Sequence, residues 1–125
     1  MSLTLWLEIN AFIALFFGIM LTCWPKQMMA QSGIVLDNVS DIFARGVGGA
    51  ILGFALINWG ARNYTGADIV WYVVGANIAL HVISGIVDLR ATVDGTYKNT
   101  ASGWFSVIFH AVIALIFAYY IVITR

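Results

Sequence analysis

Charge is scarce in this chain: 10% of its 125 residues are Asp, Glu, Lys or Arg, against roughly a quarter in an ordinary soluble domain. Together with 62% hydrophobic residues, that scarcity excludes a water-soluble monomer. Six basic residues balance six acidic ones and are scattered rather than gathered into a stripe, so the electrostatic footprint of a nucleic-acid binder is missing. A lone cysteine, Cys23, excludes an intramolecular disulfide, a CxxC pair and a Cys/His metal cluster. It reads as a small buried residue near a helix end. The N-terminal stretch Met1-Ser2-Leu3-Thr4-Leu5-Trp6 lacks the basic n-region of a signal peptide, and Glu8 would burden a cleavable apolar core. The first apolar segment is therefore expected to be retained.

Long apolar runs are what the chain does have. A membrane helix needs about 20 mostly apolar residues, because backbone amides cannot be left unpaired in lipid. Four segments qualify, at about 3–24, 41–60, 66–90 and 103–124. The first stops at Pro25, the only proline, which cannot continue a helix and restricts the residue before it. The second follows a turn at Asp37-Asn38 with Ser40 as expected N-cap. The third follows Thr65-Gly66-Ala67-Asp68, which has capping-box spacing. With so little chain outside the spans, no separate extramembrane catalytic domain is expected.

The tryptophans check this division, because indole prefers the headgroup boundary. All five fall near expected span ends: Trp6, Trp59 and Trp71 on the face carrying the termini, Trp24 and Trp104 on the other. The short connection 61–67 makes the second and third helices antiparallel neighbours. The expected fold is an all-α integral membrane four-helix bundle, up-down-up-down, forming one domain. The connection 25–40 holds Met28, Met29, Ile34, Val35 and Leu36 and is expected to lie in the interface as a short amphipathic segment. The connection 91–101 carries an Asp94-Gly95 turn signal. Lys26, Arg45, Arg90 and Lys98 flank the odd loops, against Arg62 and Arg125 on the terminal side. The positive-inside rule thus favours outside termini, in a bacterial inner membrane.

Ionisable groups inside a span cost about 2.5 to 3.5 kcal/mol at its centre on insertion scales, so each asks for an interior partner or a function. Asn77, His81, Ser84 and Asp88 follow spacings of four, three and four, which places them on one helical face turned to the protein interior. Ser106 and His110 form a shorter stripe on the fourth helix. His81 and His110 lie at similar depth, about 12 to 14 Å from the odd-loop surface, so a shared site is available. Two such imidazoles could ligate a haem iron, hold a chlorophyll-type pigment or bond a quinone, with Asn77 alongside. They could equally tie helices together. Arg45 and Asp88 lie at the same end of neighbouring helices and are expected to form a structural ion pair. Glu8 is expected to snorkel or to bond Asn10 or Asn58.

Small residues mark packing faces: Gly49 and Gly53 in GxxxG spacing on the second helix, open to a helix of the bundle or of a neighbouring subunit, and Ala111, Ala114 and Ala118 on the fourth. The glycine run is not a phosphate loop, since no Walker lysine follows. No nucleophile elbow, HExxH motif or paired carboxylates are present. A dyad of Ser84 or Ser106 with His110 lacks an evident oxyanion site.

Several features resemble the small bacterial four-helix membrane proteins of the DoxX-like type. They are the Trp24-Pro25 close of the first helix, the Arg45 to Gly49 start of the second, the aromatic-basic Trp59 to Arg62 exit and the Asp94-Gly95 turn. The resemblance implies a four-helix membrane architecture, and in some members a subunit of a quinone-linked oxidoreductase. It brings no catalytic motif. Three functions are expected in turn: an accessory subunit of a larger membrane complex, in contact with a membrane-protein partner or further copies of itself; a redox or pigment bundle using His81 and His110; and a small oligomeric transporter or channel with the Asn77 to Asp88 stripe as its path.

Overall fold

The computed structural model describes residues 2–124; Met1, and Arg125 counted above in the charge balance, lie outside the described residues. The fold is all-α. Four helices are long and apolar enough to cross a membrane: α1 (Leu3–Cys23), α3 (Asn38–Ala61, extended by a 3-10 turn at Arg62–Tyr64), α4 (Ile69–Val93) and α5 (Thr100–Thr124). A short helix α2 (Pro25–Ala30) follows α1. The expected four-helix class and the integral membrane setting stand, and the tryptophans lie within a few residues of helix ends. The described residues fall into two units.

The first unit joins the chain up to Ala30 with Val35–Val70, so α1 packs on α3. Ser2 caps α1 by accepting the Leu5 amide at 3.3 Å. α1 stops before Pro25, as expected, and Pro25 then starts α2, where its missing amide costs nothing. The cap of α3 is Asp37 rather than Ser40: its carboxylate accepts the Ser40 amide at 2.7 Å, so the helix begins a turn earlier than read. Fully exposed Asp37 is held below the usual carboxylate range, chiefly by its hydrogen bonds from Ser40. Leu3, Leu7, Ala11, Ala14 and Gly18 form the buried face of α1.

α1 and α3 run antiparallel and touch through glycines. A Cβ on Gly18 would meet Leu52 at 2.8 Å, and one on Gly48 would stand 2.6 Å from the Thr22 backbone nitrogen. The GxxxG spacing pointed elsewhere. Added Cβ atoms at Gly49 and Gly53 meet nothing within 4 Å among the described residues, so close approach belongs to Gly18 and Gly48, which lie on another face.

The second unit consists of Gln31–Ile34 and the chain from Trp71 on, with α4 and α5 antiparallel. The Asp94-Gly95 turn forms as read: Gly95 has φ +76°, and Asp94 accepts the Thr96 amide at 3.0 Å. α5 opens at Thr100, with Asn99 accepting the Ser102 amide at 3.3 Å. Gly103 lies where α5 meets Thr92 and Tyr97, and a Cβ at Gly85 would stand 3.3 Å from the His110 Cβ. Of the alanine face on α5, Ala114 is buried, Ala118 half-buried and Ala111 exposed.

Candidate functional site: a polar chain in the second hairpin

The stripe read on the third long helix is present. Asn77, His81 and Asp88 are buried, Ser84 is half-buried, and the same face continues to buried Thr92 at one end and to Val74 and Val70 at the other. At about 1.5 Å per residue, His81 lies about 18 Å inside the C-terminal end of α4 and Asp88 about 7 Å inside it. His81 is thus close to the middle of this 25-residue helix.

The two histidines meet directly. Nδ1 of His81 lies 2.8 Å from Nδ1 of His110, with ring centroids 5.1 Å apart. Phe109 covers both rings edge-on. On its other side His110 presents Nε2 to Asp88 Oδ2 at 3.5 Å. The Asp88 carboxylate accepts two hydroxyls, Tyr97 on Oδ1 at 2.6 Å and Ser106 on Oδ2 at 2.5 Å. Thr92 donates to the Asp88 carbonyl at 2.7 Å. The outcome is a run of polar groups from Tyr97 in the loop, through Asp88 and His110, to His81, hydrogen-bonded except at the Asp88–His110 step, which is at ion-pair distance.

Tyr97 is held from below and beside. Its amide donates to the Ala91 carbonyl at 2.9 Å. The next two residues are pinned by Gln31–Ile34. Ser32 accepts the Lys98 amide at 2.9 Å and the Asn99 amide at 3.3 Å, the Asn99 side chain donates to the Gln31 carbonyl at 3.0 Å, and the Ser32 and Ser102 hydroxyls lie 3.1 Å apart. Gly33 permits this contact twice over, by its φ of +73° and because a Cβ there would stand 2.5 Å from the Lys98 Cβ. Burial, then the Asp88 hydrogen bond and charge, push the Tyr97 hydroxyl pKa well above its ordinary value.

Other expected site residues have partners of a different kind. Arg45 bonds Asp41 at 3.0 Å, four residues earlier, and donates to the Thr22 carbonyl at 2.6 Å. Arg45 and Asp88, read as a pair, thus each find partners within their own unit. Glu8 pairs with Arg62 at 3.4 Å, not with the asparagines named for it, and the Arg62 guanidinium also stacks 3.5 Å from the Trp59 ring centroid. Asn77 donates to the Val73 carbonyl at 2.8 Å, and Asn58 to Phe54 at 2.9 Å. Cys23, read as buried, is exposed at the end of α1. The residue missed by sequence reasoning is Tyr97. Its only signal was an aromatic amid a polar loop, a few residues past the stripe.

The histidine geometry also bears on the haem reading. A separation of 2.8 Å between the two Nδ1 atoms is that of a hydrogen bond, so a group held by this pair would be bound through the Nε2 atoms. No family model, curated protein or solved structure matches the chain. The DoxX-like resemblance therefore rests on the residues quoted for it.

Proposed function

We propose that this chain is an accessory subunit of a larger membrane complex, and that its second hairpin carries protons between the α4–α5 loop face and the membrane interior. The observation that carries the reading is the run of neighbouring groups Tyr97, Asp88, His110, His81. Hydroxyl, carboxylate and imidazole are the groups through which protons pass in membrane proteins, and such residues inside spans mark proton paths. The groups so described reach His81, near the middle of α4. Past Asn77 the buried face of α4 is Val74 and Val70, and past His110 the buried residues of α5 are Ile113, Ala114, Phe117 and Tyr120. Beyond the histidine pair the buried face of these two helices is mostly apolar. We take the receiver to be a partner subunit or a lipid-soluble carrier of the quinone type, in keeping with an accessory role. Gly49 and Gly53, open on α3, offer a face on which a partner helix can approach closely. The orientation follows the positive-inside rule, with the termini outside a bacterial inner membrane and the relay opening inward.

The test is proton uptake by the purified chain in vesicles sorted by orientation, read with a pH dye on each face. Uptake from the α4–α5 loop face alone, abolished in H81A and H110A, is expected. Steady flux through the vesicle wall would indicate a channel, and equal uptake from both faces would overturn the half-path.

A further inference from the structure

Where α1 and α3 meet at the end that carries the termini, one cation is held on three sides. The Arg62 guanidinium lies 3.5 Å from the Trp59 ring centroid, its Nε stands 3.4 Å from Glu8 Oε1, and its Nη1 donates to the Trp59 carbonyl. Phe12 meets the Trp59 ring at 72°, with centroids 5.4 Å apart, and so steadies the ring in turn. The Arg62 side chain is left only 19% exposed. A long side chain fixed in this way has already lost the freedom that binding a ligand would otherwise take from it.

A guanidinium carries five N–H donors, and a carboxylate has two accepting oxygens. Among the described residues, Arg62 engages Nε and Nη1, and Glu8 engages Oε1. The Nη2 donors and Oε2 remain for a further group, on a carboxylate side chain that is 36% exposed. Exposed Trp59 and Tyr64 place this end of α3 at the headgroup layer, so the group at hand is a lipid headgroup.

Charge decides which headgroup fits. The charged side chains at this end of the first unit are Glu8, Arg62 and Asp68, two acids against one base. A headgroup carrying only a phosphate would add negative charge beside Glu8, whereas a zwitterionic one adds none. Among zwitterions, a primary ammonium can donate a hydrogen bond to a carboxylate. A quaternary one has no N–H to donate, and the Trp59 face on which it would rest is covered by the guanidinium.

We propose that Glu8 and Arg62, on the platform of Trp59, bind the headgroup of a phosphoethanolamine lipid at the membrane face that carries the termini. The phosphate accepts from Arg62 Nη2, in keeping with the fit of guanidinium to phosphate, and the ammonium donates to Glu8 Oε2. Each member of the ion pair thus takes a second partner of the sign it already has. The site lies in the first hairpin and does not depend on the proton relay.

Native mass spectrometry reads the preference, using the full chain released from nanodiscs with equal amounts of phosphoethanolamine, phosphocholine and phosphoglycerol lipids of identical acyl chains. The expected result is one phosphoethanolamine lipid retained per chain, at least about fivefold above either competitor, the scale of one hydrogen bond to a charged group. In E8Q most of that preference should disappear, and in R62Q retention of all three lipids should fall. Equal retention by the wild type, or a preference for phosphoglycerol, would overturn the site, and so would a preference unchanged in both variants. The wild type decides even where a variant folds poorly. Free phosphoethanolamine at millimolar concentration is expected to leave the bound lipid in place. Displacement by it would overturn the lipid assignment in favour of a soluble ester.

Discussion

The α1–α3 hairpin keeps its charges at its ends. Arg45 with Asp41 and the Thr22 carbonyl lie at one end, and Arg62 with Glu8 at the other, while Gly18 and Gly48 bring the backbones together between them. The α4–α5 hairpin carries polar chemistry inward, from Tyr97 in the loop to a histidine pair near mid-helix. Both are antiparallel pairs of spanning length, so membrane residence explains the helices in each. It does not explain a carboxylate and two imidazoles in the second. Charges at helix ends reach water at little cost, whereas charges drawn inward persist only where they are paired.

The sharpest break of this comparison is to truncate one acid in each hairpin. D88A leaves Tyr97, Ser106 and His110 facing a void inside the span and is expected to cost about 3 kcal/mol. E8A removes a pair whose carboxylate is about a third exposed and should cost about 0–1 kcal/mol. Unfolding of both variants in the same detergent checks this, and equal losses would erase the contrast.

Glycine substitution sharpens the account of the first hairpin. G48A drives a Cβ against the Thr22 backbone and is expected to cost about 1 to 3 kcal/mol. G49A and G53A should leave the isolated chain unchanged or slightly stabilised, because each Cβ meets open space. Loss of a co-purifying partner in G49A or G53A, with the chain still folded, would place that partner on α3.

In the second hairpin, G33A is expected to cost about 1 kcal/mol, since the site requires positive φ and has no room beside Lys98. Faster hydrogen exchange at the Lys98 and Asn99 amides, with α1–α3 amides unaffected, would show that Gln31–Ile34 holds the loop in place.

The smallest effect is in alkaline titration. The Tyr97 pKa is raised on folding, by burial first and then by Asp88. A raised pKa means that this stabilisation is complete below the ordinary tyrosine value of about 10 and is lost as pH rises toward the folded value. Y97F should therefore lose a late-ionising component of the tyrosinate absorbance. Asp37 and Asp94, lowered by hydrogen bonds from Ser40 and Thr96, contribute above the ordinary carboxylate range and lose that contribution as pH falls.

How far these features were legible from residues alone follows from the range of the interactions. Hydropathy and the single proline placed four helices within about three residues of their ends, because length and apolarity are properties of the segment itself. The spacing from Asn77 to Asp88 revealed the inward face, because helical periodicity is local. Tyr97 was not legible as a partner of Asp88, since its position depends on how the loop closes and on what pins it from Gln31–Ile34. The glycine contacts between α1 and α3 were not legible for a related reason. GxxxG spacing says that a helix has a smooth face, while Gly18 and Gly48 show that the packed face can be a different one. Arg45 found Asp41, one turn away on its own helix, a partner that i,i+4 spacing offered from the start.

The claim that matters most is that protons reach the histidine pair from the α4–α5 loop through Asp88. Isotope-edited infrared spectroscopy of the two labelled histidines in oriented vesicles, after a pH jump on one face, tests it directly. The account predicts a fast imidazole response to a jump on the loop face, little response to a jump on the opposite face, and a strongly slowed response in D88N. A response of equal speed from both faces, or one unchanged in D88N, would contradict it.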